Sequence, residues 1–276
     1  MTKIPEKHKK NWNILVPFFF DDLSNYALQE AISLAKAFEA GLVLFCPKVS
    51  AENHTKLAEI TAHIEQKHLL RIQSYAPEEN TFQLLFALAK KTESILIVLG
   101  HNRKRTSLGL SLPMSLRKMR KSRTPFLMVP AGLHTRSFNH IVYSMGYQKQ
   151  EKEKILWASY FGRICGSNVH VSLPKVSDQL FKSGIMGNIQ AMKRLYENAE
   201  IKHEVVPVEA TIYKADAVAL QYCTSIDAGA FLTLTTLRPD IFDFFSGTAE
   251  RNAICNEYNI PVLCINPRDD LYVLCN

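Results

Sequence analysis

Gly247-Thr248-Ala249-Glu250 has the order that an anion site uses: a glycine that lets backbone come close, a hydroxyl residue, then a helical run. A helix start carries unpaired N–H groups and the positive end of the peptide dipole, so phosphate is favoured there. Upstream, Thr235 and Thr236 add two hydroxyls, and Arg238 adds a guanidinium that can reach a phosphate. Thr235, Thr236, Arg238, Gly247 and Thr248 are therefore the candidate nucleotide or anion site. The plain structural alternative is that Gly247 makes a turn and Thr248 opens an ordinary helix.

Other chemistry finds less support. His63 and His68 are five residues apart and share no helix face, and neither the histidines nor the six scattered cysteines show a zinc spacing. There is no G-x-S-x-G elbow and no nucleophile with a base at a readable spacing. Asp21-Asp22 and Glu78-Glu79 stand at expected helix starts, where acids complement the dipole. No catalytic residue is nominated, and a non-enzyme is expected. Cys46 and Cys264 lie in apolar runs and read as buried; Cys275 is the thiol expected to react. Arg103–Arg105 and Arg117–Arg123 are basic clusters that could form one patch, although without interleaved aromatics, so nucleic acid is not expected.

The elements that must position these residues alternate. In the first half, strands are predicted at 14–18, 42–46, 71–75, 94–99 and 125–129, with helices at 22–39, 51–68, 81–91 and 111–121. In the second, strands are predicted near 139–144, 168–173, 202–207, 229–235 and 261–266. Helices fall near 149–165, 178–199, 212–226 and 247–258. Continuously apolar strands between amphipathic helices imply a parallel sheet covered on both faces. The chain is also one design written twice. Asn13-Ile14-Leu15-Val16-Pro17 returns within Asn139-His140-Ile141-Val142-Tyr143, Ile14 answering Ile141, and Pro125-Phe126-Leu127-Met128-Val129 as Pro261-Val262-Leu263-Cys264-Ile265. The offset grows from 127 to 136, which predicts about nine extra residues inside the second copy. Two α/β units are expected, 1–133 and 138–276, joined by a short polar segment.

On these residues the chain resembles the universal stress protein family in its tandem form. The matches are Ile14-Leu15-Val16-Pro17 with Ser24 and Ala27, Ile95–Gly100, Gly247-Thr248-Ala249-Glu250 and the two closing strands. The resemblance implies two doubly wound domains, each with a mostly parallel five-stranded sheet of the adenine nucleotide alpha hydrolase-like kind. It also implies that they pack as an internal pseudo-dimer through their closing strands. The family's ATP-binding branch carries an Asp two residues after the first-strand Pro and a loop Gly-x2-Gly-x9-Gly-Ser/Thr. Here the acidic position is Phe19, the second glycine position is Arg103, and Leu112-Pro113 stands where Gly-Ser should be. In the second half Ser144-Met145-Gly146 follows the first strand without an Asp, and Thr235 and Thr236 fall where the first glycine should be.

The resemblance therefore implies a stress-response protein that does not hold ATP in the family manner and acts through protein contacts. The alternative is a nucleotide-binding sensor using the second-half site. No resident cofactor is expected; in the alternative, ATP, ADP or phosphate binds weakly in the second half. Composition fits a globular chain: 276 residues, 47% hydrophobic, 21% charged, formal net charge +7. The apolar runs are too short to span a membrane, and no secretory leader is read, so a cytoplasmic protein is expected. The end of the chain, Leu271-Tyr272-Val273-Leu274-Cys275, is apolar enough to dock on something, and association of whole chains through it is expected.

Overall fold

The structure is a computed structural model that describes residues 11–133, 136–236 and 247–267. The first half runs β1 (Asn13–Pro17), α1 (Asp22–Ala37), β2 (Gly41–Phe45), α2 (Ala51–His68) and β3 (Ile72–Tyr75). It continues through α3 (Phe82–Lys91), β4 (Ser94–His101), α4 (Leu112–Met119) and β5 (Phe126–Pro130). The second half runs β6 (His140–Ser144), α5 (Glu151–Tyr160), β7 (Asn168–Pro174), α6 (Gln179–Asn198) and β8 (His203–Val208). It ends with α7 (Ala215–Ser225), β9 (Ala230–Leu234), α8 (Ala249–Ile254) and β10 (Val262–Ile265).

Local chemistry explains most boundaries. All residues of β1, β2 and β5 are buried, as strands covered on both faces require. Asp21, Ser50, Thr81 and Asp178 cap α1, α2, α3 and α6, each accepting a backbone N–H from inside the helix. Pro113 sits in the first turn of α4, where its missing N–H costs nothing. No helix among the described residues is long and apolar enough to cross a membrane.

The strands form one ten-stranded sheet in the order β3-β2-β1-β4-β5-β10-β9-β6-β7-β8. Every pairing is parallel except β5 with β10. At that antiparallel joint Leu127 pairs with Leu263, flanked by Met128 with Val262 and Phe126 with Cys264. Leu127 and Leu263 are each other's counterparts in the repeat, so the internal twofold passes between them, and the expected pseudo-dimer through the closing strands is realised.

Strand register locates the extra residues of the second copy. Val169 takes the place of Leu42 (127 apart), His203 that of Ile72 (131), Phe231 that of Ile97 (134) and Val262 that of Phe126 (136). The extra residues are therefore spread over three connections rather than inserted at one point. One consequence is that Leu234 stands opposite Ile265 as Gly100 stands opposite Val129, so the first-glycine position of the second half falls on Leu234 rather than on Thr235 or Thr236, and Thr235 corresponds to His101.

The segment joining the halves rests on an ionisable group. The Glu30 carboxylate on α1 is 1% exposed and accepts the Arg136 backbone N–H; its Oε1 has no partner. Burial raises its pKa to about 7, against which the Arg136 charge pulls weakly. The folded chain thus keeps a proton that the unfolded chain releases above about pH 4.5. That contribution is complete at low pH and is lost as pH rises to 7, on the order of 3 kcal/mol for a shift of this size. Glu30→Gln should therefore match wild type near pH 4 and exceed it in urea unfolding at pH 8. An equal difference at both pH values would show Glu30 to be ionised throughout.

Candidate functional site

A cleft of about 740 Å³ opens beyond the C-terminal ends of β6 and β9. These neighbouring strands are where the chain switches sides, since β6 leads on to β7 in one direction while β9 lies in the other. Crevices at such points are the usual ligand sites of open α/β sheets.

The cleft floor is built from groups that bond one another. Ser144, ending β6, donates its hydroxyl to Asp216 at the start of α7, and Thr233 Oγ1 lies 3.5 Å from the other Asp216 oxygen. Lys154 on α5 donates to the Ser144 carbonyl at 2.6 Å and pairs with Glu151 at 2.7 Å. Glu151 Oε2 in turn accepts the Gly146 N–H at 2.9 Å. Asn188 of α6 donates to the Gly146 and Gln148 carbonyls, which fixes the loop between β6 and α5. Glu151 and Lys154 are both buried, at positions that the 127-residue offset equates with Ser24 and Ala27. Ser24 does in the first half what Glu151 does in the second: its hydroxyl accepts the Phe19 N–H at 3.0 Å. A carboxylate from the following helix thus stands on the loop after β6, paired with Lys154.

Four of the five predicted site residues can be placed; Arg238 lies outside the described residues. Thr235 and Thr236 line the cleft, and Gly247 and Thr248 stand at the entrance to α8, with Gly247 at φ +79. Their hydroxyls face inward partners. Thr235 donates to Asn266 Oδ1 at 2.7 Å, and Asn266 donates to the Met119 and Ser122 carbonyls at the end of α4. Thr236 donates to Glu250 Oε2 at 2.8 Å. Glu250, fully buried in the first turn of α8, receives both Nε and Nη2 of Arg120, and the same Nη2 donates to Thr248 Oγ1 at 3.0 Å. Both guanidinium bonds go to the one oxygen Oε1, and charge-assisted contacts of this kind are stronger than neutral ones. The start of α8 therefore carries a buried carboxylate of the chain itself, paired with an arginine from the other half.

Arg117, Lys121 and Arg123 of the basic cluster are exposed, and Arg120 departs from them. Arg120 points across the twofold into the second half, and Arg103 does likewise, donating to the Asn256 carbonyl and Asn259 Oδ1. Arg105 folds back on the Gly109 carbonyl. The sequence reading missed Arg120–Glu250 because the pair is 130 residues apart.

In the first half the matching place is filled by its own loop. Ser107 is fully buried; its hydroxyl accepts the Gly100 N–H at 3.2 Å and its N–H donates to the Gly100 carbonyl at 2.8 Å. Thr106 bonds Ser115 of α4 at 2.7 Å, and Leu108 and Leu112 pack inward. From the other side α1 presses on Gly100: a β-carbon there would lie 1.9 Å from the Leu23 carbonyl oxygen. His101, next along β4, is 1% exposed, and its Nδ1 accepts the Arg103 N–H. Burial, with the Arg103 charge, lowers its pKa to about 4. Its neutral form favours folding above the ordinary histidine range, an advantage that shrinks as pH falls from about 6.5 towards 4. Cys46 and Cys264 are buried as expected; Cys275 lies outside the described residues. No group of three or more metal-ligating side chains is present among the described residues.

No protein-family model matches the sequence. No curated protein matches it either. Solved structures do resemble the fold. A universal stress protein from Archaeoglobus fulgidus DSM 4304 superposes with a TM-score of 0.68 at 11% identity, covering 94% of this chain and 97% of its own. A functionally unknown protein from Pseudomonas aeruginosa PAO1 superposes with a TM-score of 0.62 at 16% identity, covering 94% and 93%. The fold is that of a universal stress protein of two-unit length, two doubly wound α/β halves joined edge to edge.

Proposed function

We propose that this chain is a non-catalytic, cytoplasmic stress-response protein of the universal stress protein kind, which does not hold ATP in that family's manner and acts through protein contacts. Its units are the halves 1–133 and 138–276. The observation that supports the reading is that polar groups of the chain itself bond the strand end of the first half and the helix start of the second, where the resemblance would put phosphates. Ser107 closes on Gly100 in the first half, and Glu250, held by Arg120 and Thr236, stands at the helix entrance in the second. An incoming phosphate would have to approach the buried Glu250 carboxylate and compete with it for Arg120. Like-charge repulsion at close range in a dry site opposes that.

A second reading is a small-ligand sensor, and the open second-half cleft favours it. In it Thr235, Thr236, Arg238, Gly247 and Thr248 hold a nucleotide or anion. Titration of nucleotide-stripped protein with ATP and ADP separates the readings. The sensor also requires that Gly247→Val abolish binding, because a β-carbon at Gly247 would come within 2.8 Å of Asn252 Oδ1 at an already left-handed φ.

A further inference from the structure

Four helices cover one face of the sheet, α3 and α4 over the first half and α7 and α8 over the second, all packed into one buried cluster. Their outer sides differ in charge. On α4 and the turn that ends it, Met114, Arg117, Lys118 and Lys121 recur at steps of three and four, which puts them on one side. On α3 the exposed residues are Gln83, Leu84, Ala87, Lys90 and Lys91. The two rows adjoin: Lys118 Nζ lies 5.9 Å from the centroid of the Phe82 ring, and Lys90 lines one recess with Lys121 and Arg123. Glu93 is the carboxylate among the described residues of that recess.

The repeat supplies an internal comparison. Helices α3 and α7 end at Lys91 and Ser225, 134 residues apart, and at the same offset Glu93 and Asp227 are both left-handed, with φ of 50 and 48. Lys90 and Lys91 therefore stand where the second half has Thr224 and Ser225. The counterpart of α4 is α8, which exposes Arg251 and Asn252 and is followed by exposed Glu257. The same helices thus pack on the same face of the sheet without a run of cations. In the first half Lys90, Lys91, Arg117, Lys118, Lys121 and Arg123 make no ion pair among the described residues. Like charges three and four residues apart on a helix oppose folding. A penalty that the sister copy avoids points to binding rather than to architecture.

We propose that the α3–α4 face docks an acidic segment of another protein, one that carries apolar side chains beside its carboxylates. This rests on the reading that the chain acts through protein contacts, and it names the class of partner. Charge complementarity gives the carboxylates. The apolar part follows from what stands among the cations: Leu84 is 37% exposed and Met114 46%, with Phe82 and Phe86 half-buried beside them. Methionine adapts to varied apolar partners. A sugar–phosphate backbone would leave Leu84 and Met114 without a partner, and no exposed aromatic ring stands among these cations for bases to stack on. Two exposed apolar side chains also fall short of the broad apolar face that a membrane-surface helix buries. An amphipathic acidic helix laid along the two rows matches both kinds of group.

The probe is a labelled helical peptide with leucines on one side and glutamates on the other, titrated with the full-length chain and followed by fluorescence anisotropy. Saturable binding is expected, weakened about tenfold by Arg117→Glu with Lys121→Glu. Both residues are exposed and unpaired, so the variant should fold as wild type does. Lys193→Glu with Arg194→Glu makes the same change in net charge on α6, across the sheet, and should leave binding unchanged. A glutamate peptide without leucines should bind more weakly, and Leu84→Gln with Met114→Gln should remove that difference. No binding, or equal loss in the α4 and α6 variants, would overturn the proposal. So would tighter binding of a DNA duplex or of phosphatidylserine vesicles than of the peptide. The assay contains no nucleotide, so its failure counts against this face alone, whereas failure of the wider reading shows in the nucleotide titration.

Discussion

Arg120→Met is expected to destabilise the chain by about 3–5 kcal/mol, the range for breaking one side of a buried ion pair. The Glu250 carboxylate is fully buried, and Arg120 supplies both of the charged hydrogen bonds to its Oε1. Thr236 remains on the other oxygen, but a hydroxyl does not neutralise a charge. The loss should come from the orphaned carboxylate rather than from the missing attraction. The double variant Arg120→Met with Glu250→Leu should therefore recover most of it, since well-packed apolar replacements of buried pairs are often neutral. Urea unfolding of the two variants checks this. A double variant as unstable as the single one would mean that Arg120 acts by packing alone. Because α4 and α8 belong to opposite halves, the same experiment reads how strongly the pair ties them together.

Gly100→Ala should cost on the order of 3 kcal/mol, at the upper end of ordinary overpacking. Its added β-carbon would sit 1.9 Å from the Leu23 carbonyl oxygen, a backbone atom that cannot rotate away. Neither side can yield cheaply: Asp21 caps α1 there, and β4 is held between β1 and β5. Gly109→Ala is the matched control. Its φ of +74 makes the change a strained one, but nothing lies within 4 Å, so about 1 kcal/mol is expected. Equal losses at the two positions would show that α1 moves aside.

Local patterns made the fold legible. The limits of α2, Ala51–His68, could be read from the cap at Ser50 and the following helical run, because both signals lie within a few residues. β1 and β5 were legible as short apolar runs because burial on both faces leaves no polar interruptions. The grouping of Thr235, Thr236, Gly247 and Thr248 also followed from strand ends and a helix start. What those hydroxyls bond to did not. Their partners, Asn266, Glu250 and Arg120, are set by packing across a twofold, and nothing near Arg120 in sequence separates it from its exposed neighbour Arg117. Glu151 and Lys154 were hidden differently. Three residues apart on a helix they look like a surface pair, yet the offset of the repeat places them on the buried positions of Ser24 and Ala27. Comparing the two copies residue by residue was the signal that could have found them.

The central claim, that both phosphate positions are closed by the chain itself, is tested most directly by calorimetric titration of nucleotide-stripped protein with ATP and ADP, with and without magnesium. The account predicts no heat of binding up to about millimolar nucleotide, a ceiling of roughly −4 kcal/mol. Saturable binding near micromolar, one nucleotide per chain and lost in Gly247→Val, would contradict it and assign the second-half cleft to a nucleotide.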